Sequence, residues 1–558
     1  MKNKISIFLG KSVLLLCLIF FTASCDEAFL KEVPKDFLSP ENAYTDLAGF
    51  ETAITALHSD ARNIWAEADA ASFFILPGLG ADYGVYGENL TSGFRMDYSA
   101  FSATDVYTKE HWTRIYKMIK DANTIISRAE SPDVKWSAES VKAQEVAEAR
   151  FFRAFGYRLL ANLFGGVPII KEEVTSPKID FARSTRTEVY QFAKDDLVFA
   201  AANLPEAEKA PGRITKAAAN HLLSEINICL GDFQGAIDAA SLVINNTNYS
   251  LMKTRFGRRT AVAGDVYWDL FQRGNQNRSS GNKEAIWVVQ MEYKTAGGGS
   301  LQWNGLTMGY EPERAWGARY HSIKDPDGKN GFVLSDELGR PVGWVVPTYY
   351  LQQTIWQSDF NNDMRNSAYN IKRQYYYNDP TSKYFGQLAT QATLASQEIR
   401  YYHPTFMKVT TPFDHPDGII TTGQVWKDIY AMRLAETYLL RAEAYLGKSD
   451  KVNAAADINV VRARANATPV LAANVDINYI LDERARELVT EEFRTCTLMR
   501  LGLMVERTKK YSQILKGDGA IVASTPSLTI KDHQNLWPIP QTEIDLNGGA
   551  KLDQNPGY

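Results

Sequence analysis

Apolar residues recur with the period of an α-helix over several long stretches of the chain. Between residues 112 and 126, apolar side chains fall three or four positions apart, which places them on one face of a helix. A second stretch over 152–163 ends at Gly165 and Gly166, and glycines of this kind commonly terminate helices. The pattern predicts long amphipathic helices that bury one face against a common core.

Two later segments repeat one plan, in which a helix, a short polar turn and an alanine-rich helix follow one another. Residues 215–244 carry Gly231 and Asp232 at the turn, and residues 426–465 carry Gly447, which is expected to end the first helix of that pair. Antiparallel helix pairs with small residues at the crossing are the unit of tetratricopeptide-like repeats. The sequence therefore predicts a mostly α fold with a tetratricopeptide-like helical-repeat scaffold.

Residues 67–110 and 250–425 break this pattern, because they are rich in Gly, Asn, Pro and aromatic residues and show little periodicity. We predict long ordered loops there, packed on the scaffold, with a few short strands such as 285–292 and 398–402. Long loops without secondary structure of their own are uncommon unless they carry function. Functional side chains are therefore expected in these two regions.

The first 24 residues have the layout of an export signal. Lysines at positions 2, 4 and 11 precede an apolar run over 13–21, which is shorter than the roughly 20 residues that span a bilayer. Small residues and then Cys25 follow, as in a bacterial lipobox, where the cysteine becomes the lipidated N-terminus; a plain secretory signal is the alternative. The predicted divisions are a lipoprotein signal peptide (1–24), a lipidated N-terminus and tether (25–40) and a single body (41–558).

Charge and motif content exclude several classes of function. The net charge of −4 leaves no basic surplus to neutralise phosphates, so nucleic acid is not expected as a partner. The signatures of zinc proteases, serine hydrolases and P-loop enzymes are missing from the sequence. The charged residues crowded into 482–494 are spaced for ion pairs along a helix and with its neighbours, not for a pair of carboxylates facing across a cleft. We predict that the protein is not an enzyme.

No cofactor or metal site is predicted. Residues 325–330 begin like a calcium loop, but Lys329 stands where an oxygen ligand is required and no Glu closes the loop. We interpret this segment as a turn. A structural calcium ion elsewhere is left open, without a motif to support it.

Four segments, taken together and in order, resemble one family. Each is weak alone, but their succession behind a lipoprotein leader is similar to the SusD/RagB family of outer-membrane nutrient-binding lipoproteins. The resemblance is distributed over most of the chain after the leader and leaves out the loop regions. The segments are AEARFFRAFGYRLLANLFGGVPII (147–170), MRLAETYLLRAEAYL (432–446) with AAADINVVRARA (454–465), ILDERARELVTEEFRTCTLMRLG (480–502), and LWPIPQTEIDLN (536–547) with QNPGY (554–558).

The resemblance implies a glycan-binding lipoprotein on the cell surface, anchored in the outer membrane by lipid and facing the cell exterior. Members of the family capture oligo- or polysaccharide and help to deliver it to a partner SusC-like, TonB-dependent barrel transporter. They act as binding lids, while separate enzymes degrade the glycan. Some members are RagB-like and bind peptides or protein fragments, so peptide binding is the alternative, and a surface-anchored hydrolase is a third interpretation.

Ligand-binding residues are predicted from the chemistry of sugars, because aromatic rings cover their apolar faces while amide, carboxylate and Arg groups bind their hydroxyls. A stretch with Tyr375–Tyr377, Tyr384 and Phe385 competes with the two stretches that we select, and any of these rings could instead fix a loop to the helices. Replacing Trp316 by Ala is expected to weaken binding with little loss of stability. The selected residues are Trp303, Asn304, Tyr310, Arg314, Trp316 and Tyr320 in the middle region and Asp82, Tyr83 and Tyr86 in the early region.

Overall fold

The computed structural model describes most of the chain after the leader and tether. Cys25, with the whole of the predicted signal peptide and tether, lies outside the described residues, and so does Asn304. The described residues are 43–66, 72–93, 96–303 and 306–558, with the backbone alone at 72, 73, 300–303 and 306–308.

Helices form the body of the protein, as the apolar periodicity predicts. No helix in the described part of the chain is both long and apolar enough to cross a membrane. The longer helices are α1 (Leu47–Ala66), α2 (Val106–Arg128), α3 (Glu139–Phe164), α4 (Arg186–Asn203), α5 (Lys216–Cys229), α6 (Phe233–Ile244), α7 (Leu434–Gly447), α8 (Lys451–Arg464), α9 (Ile477–Leu488), α10 (Arg494–Arg500) and α11 (Met504–Tyr511). Short helical turns lie at Ser72–Ile75, Val266–Leu270, Pro312–Trp316, Tyr349–Gln352, Gln391–Leu394, Thr525–Thr529 and Gln541–Leu546.

Consecutive helices pack side by side from α1 to α6, and α7 packs on both α6 and α8. The predicted repeat pairs are α5–α6 and α7–α8, and both are confirmed. Buried alanines such as Ala236 and Ala444 lie where α6 and α7 meet, which lets the two backbones approach closely. The mostly helical, tetratricopeptide-like fold is therefore the one that the sequence predicts.

The strands of the described residues form two-stranded antiparallel ribbons, and all but one of these ribbons include a strand of the variable regions. The predicted strand at 285–292 is confirmed in shorter form over Ala285–Val289, and its Trp287 ring packs edge-on against Phe151, Phe152 and Phe155 of α3 at centroid distances of 5.3–5.9 Å. The ribbons are β1 (Gly84–Tyr86) with β5 (Val345–Pro347), β2 (Ala285–Val289) with β8 (Ile429–Arg433), β3 (Ser300–Trp303) with β4 (Leu306–Met308), β6 (Ile371–Lys372) with β7 (Thr405–Phe406), and β9 (Gln513–Leu515) with β10 (Ile521–Ala523).

The predicted strand at 398–402 is wrong, because residues Ile399–Tyr401 form a 3₁₀ turn. The Glu398 carboxylate accepts hydrogen bonds from Arg400 Nε and from the Tyr401 hydroxyl, each at 2.8 Å. These bonds fold the segment back on itself, whereas a strand would hold the side chains of neighbouring residues on opposite faces. A segment of five residues is too short for its sequence pattern to distinguish a strand from such a turn.

Two of the family-like segments meet at the C-terminal end of α3. The Trp537 N–H donates to the Leu163 carbonyl at 2.7 Å, and the Asn555 amide donates to the Phe164 carbonyl at 2.9 Å. The last carbonyls of a helix lack partners within it, and these bonds satisfy two of them. The closing residues of the chain therefore cap a helix that begins about 400 positions earlier, which explains why the two segments occur together.

The charged residues of 482–494 pair with one another and with neighbouring elements, as predicted. The buried Glu487 carboxylate accepts hydrogen bonds from the guanidinium groups of Arg365, Arg433 and Arg464. Glu483, also buried, does the same for Arg365 and two further arginines. This network joins α8, α9 and the middle region, so its charges hold the fold together.

Candidate functional site

The early and middle loop regions meet at the ribbon of β1 and β5. Tyr86 lies opposite Val345, and the Gly87 N–H continues the ladder by donating to the Trp344 carbonyl at 2.8 Å. A Cβ on Gly87 would lie 2.1 Å from the carbonyl oxygen of Gly343, so only glycine allows this approach. Pairing of the two strands therefore brings side chains more than 250 positions apart to one surface.

Polar groups cluster at the outer end of this ribbon. The Tyr86 hydroxyl donates to Glu88 Oε2 at 2.7 Å, while Arg400 Nη1 donates to Glu88 Oε1 at 2.7 Å. Burial raises the pKa of Tyr86, and the hydrogen bond to the Glu88 carboxylate raises it further, so the phenol stays protonated. Glu88 and Arg400 thus offer acceptor and donor atoms at fixed positions beside an aromatic ring.

The Arg314 side chain stacks on the ring of Trp344, which directly precedes β5. The Arg314 guanidinium lies 4.7 Å from the centroid of the Trp344 ring and pairs with Glu311 at 3.0 Å. Among the described residues, nothing accepts a hydrogen bond from Arg314 Nε. We call the side chains of Tyr86, Glu88, Arg314, Trp344 and Arg400 the ribbon surface. It combines the half-buried ring of Trp344 with hydrogen-bond donors and acceptors, which is the chemistry that sugars require.

Two predicted ligand-binding residues of the early region lie inside the protein. Asp82 is fully buried and accepts hydrogen bonds from Arg494 and Arg507 at 2.6–3.0 Å. Burial alone would raise the pKa of Asp82, but the positive charges of these arginines outweigh it and lower the pKa. The buried Tyr83 hydroxyl donates to Glu492 at 2.8 Å. Both side chains attach the early region to the helices and present no surface to a ligand in this structure.

Aromatic residues predicted to bind ligand in the middle region are also buried. Trp316 has no exposed surface, and Tyr320 and Tyr310 are almost completely enclosed. The Tyr320 hydroxyl donates to the Gly339 carbonyl at 3.0 Å, which fixes one loop to another. Trp303 lies in β3, and its side chain is not among those described. A ring without an exposed face cannot stack on a sugar. Of the predicted residues, Arg314 belongs to the ribbon surface, and the buried Tyr86 contributes the hydroxyl that donates to the exposed Glu88.

Glu88, Trp344 and Arg400 are not among the residues predicted from the sequence. The hydrogen-bonded pair Glu88 and Arg400 is separated by 312 positions, and no local pattern connects them. Trp344 directly precedes β5, and its aromatic character is the one signal that pointed to it. Only the pairing of β1 with β5 brings these residues together.

Two family models match the chain. Residues 283–558 match the SusD family, and residues 86–228 match a family described as "Starch-binding associating with outer membrane". The SusD-like protein P2 of Formosa agariphila is 29% identical over 568 positions, with 98% of each chain covered. The starch-binding protein SusD of Bacteroides thetaiotaomicron is 26% identical over 435 positions, covering 74% of this chain and 72% of its own.

Solved structures share the fold along nearly the whole chain. A SusD homolog from Bacteroides thetaiotaomicron has a TM-score of 0.71 at 19% identity, covering 93% of this chain and 98% of its own. A laminarin-binding SusD-like protein has a TM-score of 0.67 at 22% identity, with 92% and 99% covered. Surface glycan-binding protein A of Bacteroides thetaiotaomicron, solved with laminarihexaose, has a TM-score of 0.67 at 19% identity, with 92% and 100% covered. The chain belongs to the SusD family.

Proposed function

We propose that this protein captures oligo- or polysaccharide at the cell surface and delivers it to a partner TonB-dependent outer-membrane transporter. The observation that carries the proposal is the ribbon surface, where the early and middle loop regions place the half-buried Trp344 ring beside Arg and carboxylate groups. Relatives with this fold are named for binding starch, laminarin or laminarihexaose. The proposal gives the present chain the same class of ligand and leaves the particular glycan open.

At the ribbon surface, each group has a distinct role in binding. The half-buried ring of Trp344 would contact the apolar C–H face of a sugar ring, because burying that face removes it from water. The guanidinium groups of Arg314 and Arg400 would donate to hydroxyls, while Glu88 would accept from them. Ion pairs with Glu311 and Glu88 already hold the two arginines, so little side-chain freedom would be lost on binding.

Affinity gels that contain plant, microbial or host polysaccharides test this function on protein that lacks the first 25 residues. We expect one class of polysaccharide to retard the protein, and Trp344→Ala to weaken that retardation about tenfold, since central Trp residues commonly contribute this much. Trp136→Ala is the matched control, because Trp136 is also half-buried but lies on the helical scaffold against Phe50.

Unchanged binding by Trp344→Ala would remove the ribbon surface from the proposal. If no polysaccharide retards the protein and a peptide library binds instead, the peptide-binding alternative replaces glycan capture. Release of new reducing ends during incubation would favour the hydrolase interpretation, and we expect none. These three readouts separate the function classes that the sequence left open.

The proposed location on the outer membrane depends on lipid attached to Cys25. Acyl chains contribute about 0.8 kcal/mol per buried CH₂, so a multiply acylated cysteine holds a protein firmly on a bilayer. We expect Cys25→Ala to leave the protein without lipid and to move it from the membrane fraction to the soluble fraction. The mass of the mature protein and its fractionation measure this. A variant that stays in the membrane with unchanged mass would contradict the lipid anchor.

A further inference from the structure

A groove with exposed aromatic rings lies in the middle region and shares no residue with the ribbon surface. Tyr376, Phe385 and Phe413 line it with 48%, 59% and 61% of their surface exposed, whereas most aromatic side chains in the described part of the chain are buried. The cavity has a volume of about 500 Å³, which lies in the range of small-ligand sites. Exposed apolar rings that converge on a concave surface commonly mark a binding site.

Alternation along the backbone explains why one tyrosine of the stretch 375–377 points outward. Tyr375 and Tyr377 are buried, and Tyr376 between them is exposed, as in an extended chain where neighbouring side chains lie on opposite faces. The Tyr375 hydroxyl donates to the His403 carbonyl at 2.7 Å, and the Tyr377 ring packs 5.2 Å from Phe332. The buried tyrosines therefore form a fixed floor beneath the exposed ring.

Phe413 lines the groove from another segment of the chain and has an unfavourable backbone conformation. Its φ of +57° lies in the left-handed region, which bulky residues rarely adopt. The Phe413 N–H donates to the Asp336 carbonyl at 2.7 Å, and Arg259 donates to the adjacent Pro412 carbonyl at 2.8 Å. Surrounding contacts thus hold an aromatic side chain outward at an energetic cost, and such strain is concentrated at functional sites.

The polar groups of the groove favour hydroxyls over negative charge. Asp336 and Glu337 supply carboxylate oxygens that accept hydrogen bonds. Lys372 is the one cationic residue among the described residues that line the groove, and its Nζ lies 2.8 and 3.0 Å from the two Glu337 oxygens. An anionic ligand would meet two carboxylates and a lysine whose charge is already paired, which disfavours its binding.

We propose that this groove is a second glycan-binding site, which takes a short stretch of neutral hexose units. The exposed rings of Tyr376, Phe385 and Phe413 cover the apolar sugar faces, and Asp336 and Glu337 accept from the hydroxyls. The inference goes beyond the function proposed for the ribbon surface and stands on the chemistry of the groove itself. Two separate sites on one protein would hold a long polysaccharide more tightly than either site alone.

Calorimetry with maltotriose, cellotriose and laminaritriose tests the second site on the same soluble protein. We expect the wild type to bind two equivalents of one trisaccharide, and the double variant Tyr376→Ala/Phe385→Ala to bind one. Tyr369→Ala/Phe360→Ala is the matched control, because both residues are exposed to a similar degree and neither lines the groove. Melting temperatures of both double variants should remain near that of the wild type, since the replaced rings are exposed.

The outcomes separate this inference from the function proposed for the ribbon surface. The wild type could bind one equivalent that is lost in Trp344→Ala and kept in the groove variant. This result would overturn the second site in the groove and support the ribbon surface. One equivalent lost only in the groove variant would support the groove and overturn the ribbon surface. Binding of no trisaccharide by the wild type would overturn the second site, while the polysaccharide gels would still test glycan capture independently.

A final comparison tests the charge preference of the groove in the Trp344→Ala protein, where the groove would be the remaining site. We expect trigalacturonic acid to bind at least about tenfold more weakly than the neutral trisaccharide. Glu337→Gln should reduce the difference in affinity between the two sugars, because the charge of Lys372 is then no longer paired with the Glu337 carboxylate. Equal affinity of the Trp344→Ala protein for the two sugars would overturn the preference for neutral glycans.

Discussion

Trp316 and Tyr376 are both aromatic residues of the variable middle region, yet their side chains have opposite surroundings. Trp316 has no exposed surface and lies in the main core, close to the ribbon of β1 and β5. Tyr376 is half exposed and donates only to the neighbouring Gln374 side chain. Residue type alone makes both of them candidates for ligand binding, but only Tyr376 is exposed.

Trp316→Ala is therefore expected to lower stability instead of affinity. Removing a buried Trp side chain leaves a cavity and costs about 3–5 kcal/mol of unfolding free energy. Urea unfolding followed by circular dichroism measures this cost. Tyr376→Ala serves as the comparison and should change the free energy of unfolding by less than about 0.5 kcal/mol. A Trp316→Ala protein as stable as the wild type would contradict the core assignment.

The two helix pairs of the scaffold use the same turn with different residues at its centre. In α5–α6, Gly231 has a φ of +74° and Asp232 caps α6 by accepting from the Gly235 N–H. In α7–α8, the left-handed residue is Ser449 with a φ of +62°, followed by the cap Asp450. The predicted helix end at Gly447 is confirmed, because Gly447 is the last residue of α7, while the left-handed residue of the turn lies two positions later at Ser449.

Two substitutions at these turns are expected to change the stability of the protein in opposite directions. Gly231→Ala should cost about 1 kcal/mol, because a Cβ there meets no neighbouring atom and only the left-handed backbone opposes it. Ser449→Gly should raise stability by up to about 1 kcal/mol, since glycine adopts this conformation without strain. Thermal unfolding of the two variants and the wild type measures both. If both substitutions raised the melting temperature, or if both lowered it, the role of φ at these turns would be contradicted.

Buried ion pairs connect distant parts of the whole molecule. Glu225 of α5 pairs with Arg158 of α3, and Glu483 of α9 pairs with Arg365 of the middle region. Burial alone would raise the pKa of each carboxyl group, but the charges of the paired arginines outweigh it and lower both values to about 2. Breaking such pairs by protonation would affect several layers of the fold at once.

The protein is therefore expected to lose stability in acid. A carboxyl group whose pKa is lower in the folded state stabilises the fold above its unfolded pKa of about 4.3, and this contribution is lost as the pH falls towards 2. Each buried glutamate would contribute on the order of 3 kcal/mol. Calorimetric melting temperatures between pH 7 and pH 2.5 should fall steeply below about pH 5. A melting temperature that stays constant over this range would contradict the role of these ion pairs.

The sequence by itself determined the helices, the repeat pairs and the pairing of charges within residues 482–494. These features depend on local spacing, since an apolar period of 3.6 residues and charges three or four positions apart describe one helix face. The four family-like segments identified the family for a related reason, because they include helix ends and the C-terminal residues that cap α3. The lipid anchor at Cys25 and the division of the chain remain predictions.

Only the tertiary structure decided which aromatic and charged residues reach the surface. The side chains of Tyr83, Trp316 and Tyr320 are buried. Phe413 is exposed and has a left-handed backbone conformation. The partnership of Glu88 with Arg400 likewise depends on strand pairing between distant loops. Whether a ring face is covered depends on packing with segments hundreds of positions away, and local composition contains no record of that packing. The helical scaffold can therefore be predicted from the sequence. Which side chains of the loop regions are exposed to a ligand depends on how the loops fold onto that scaffold.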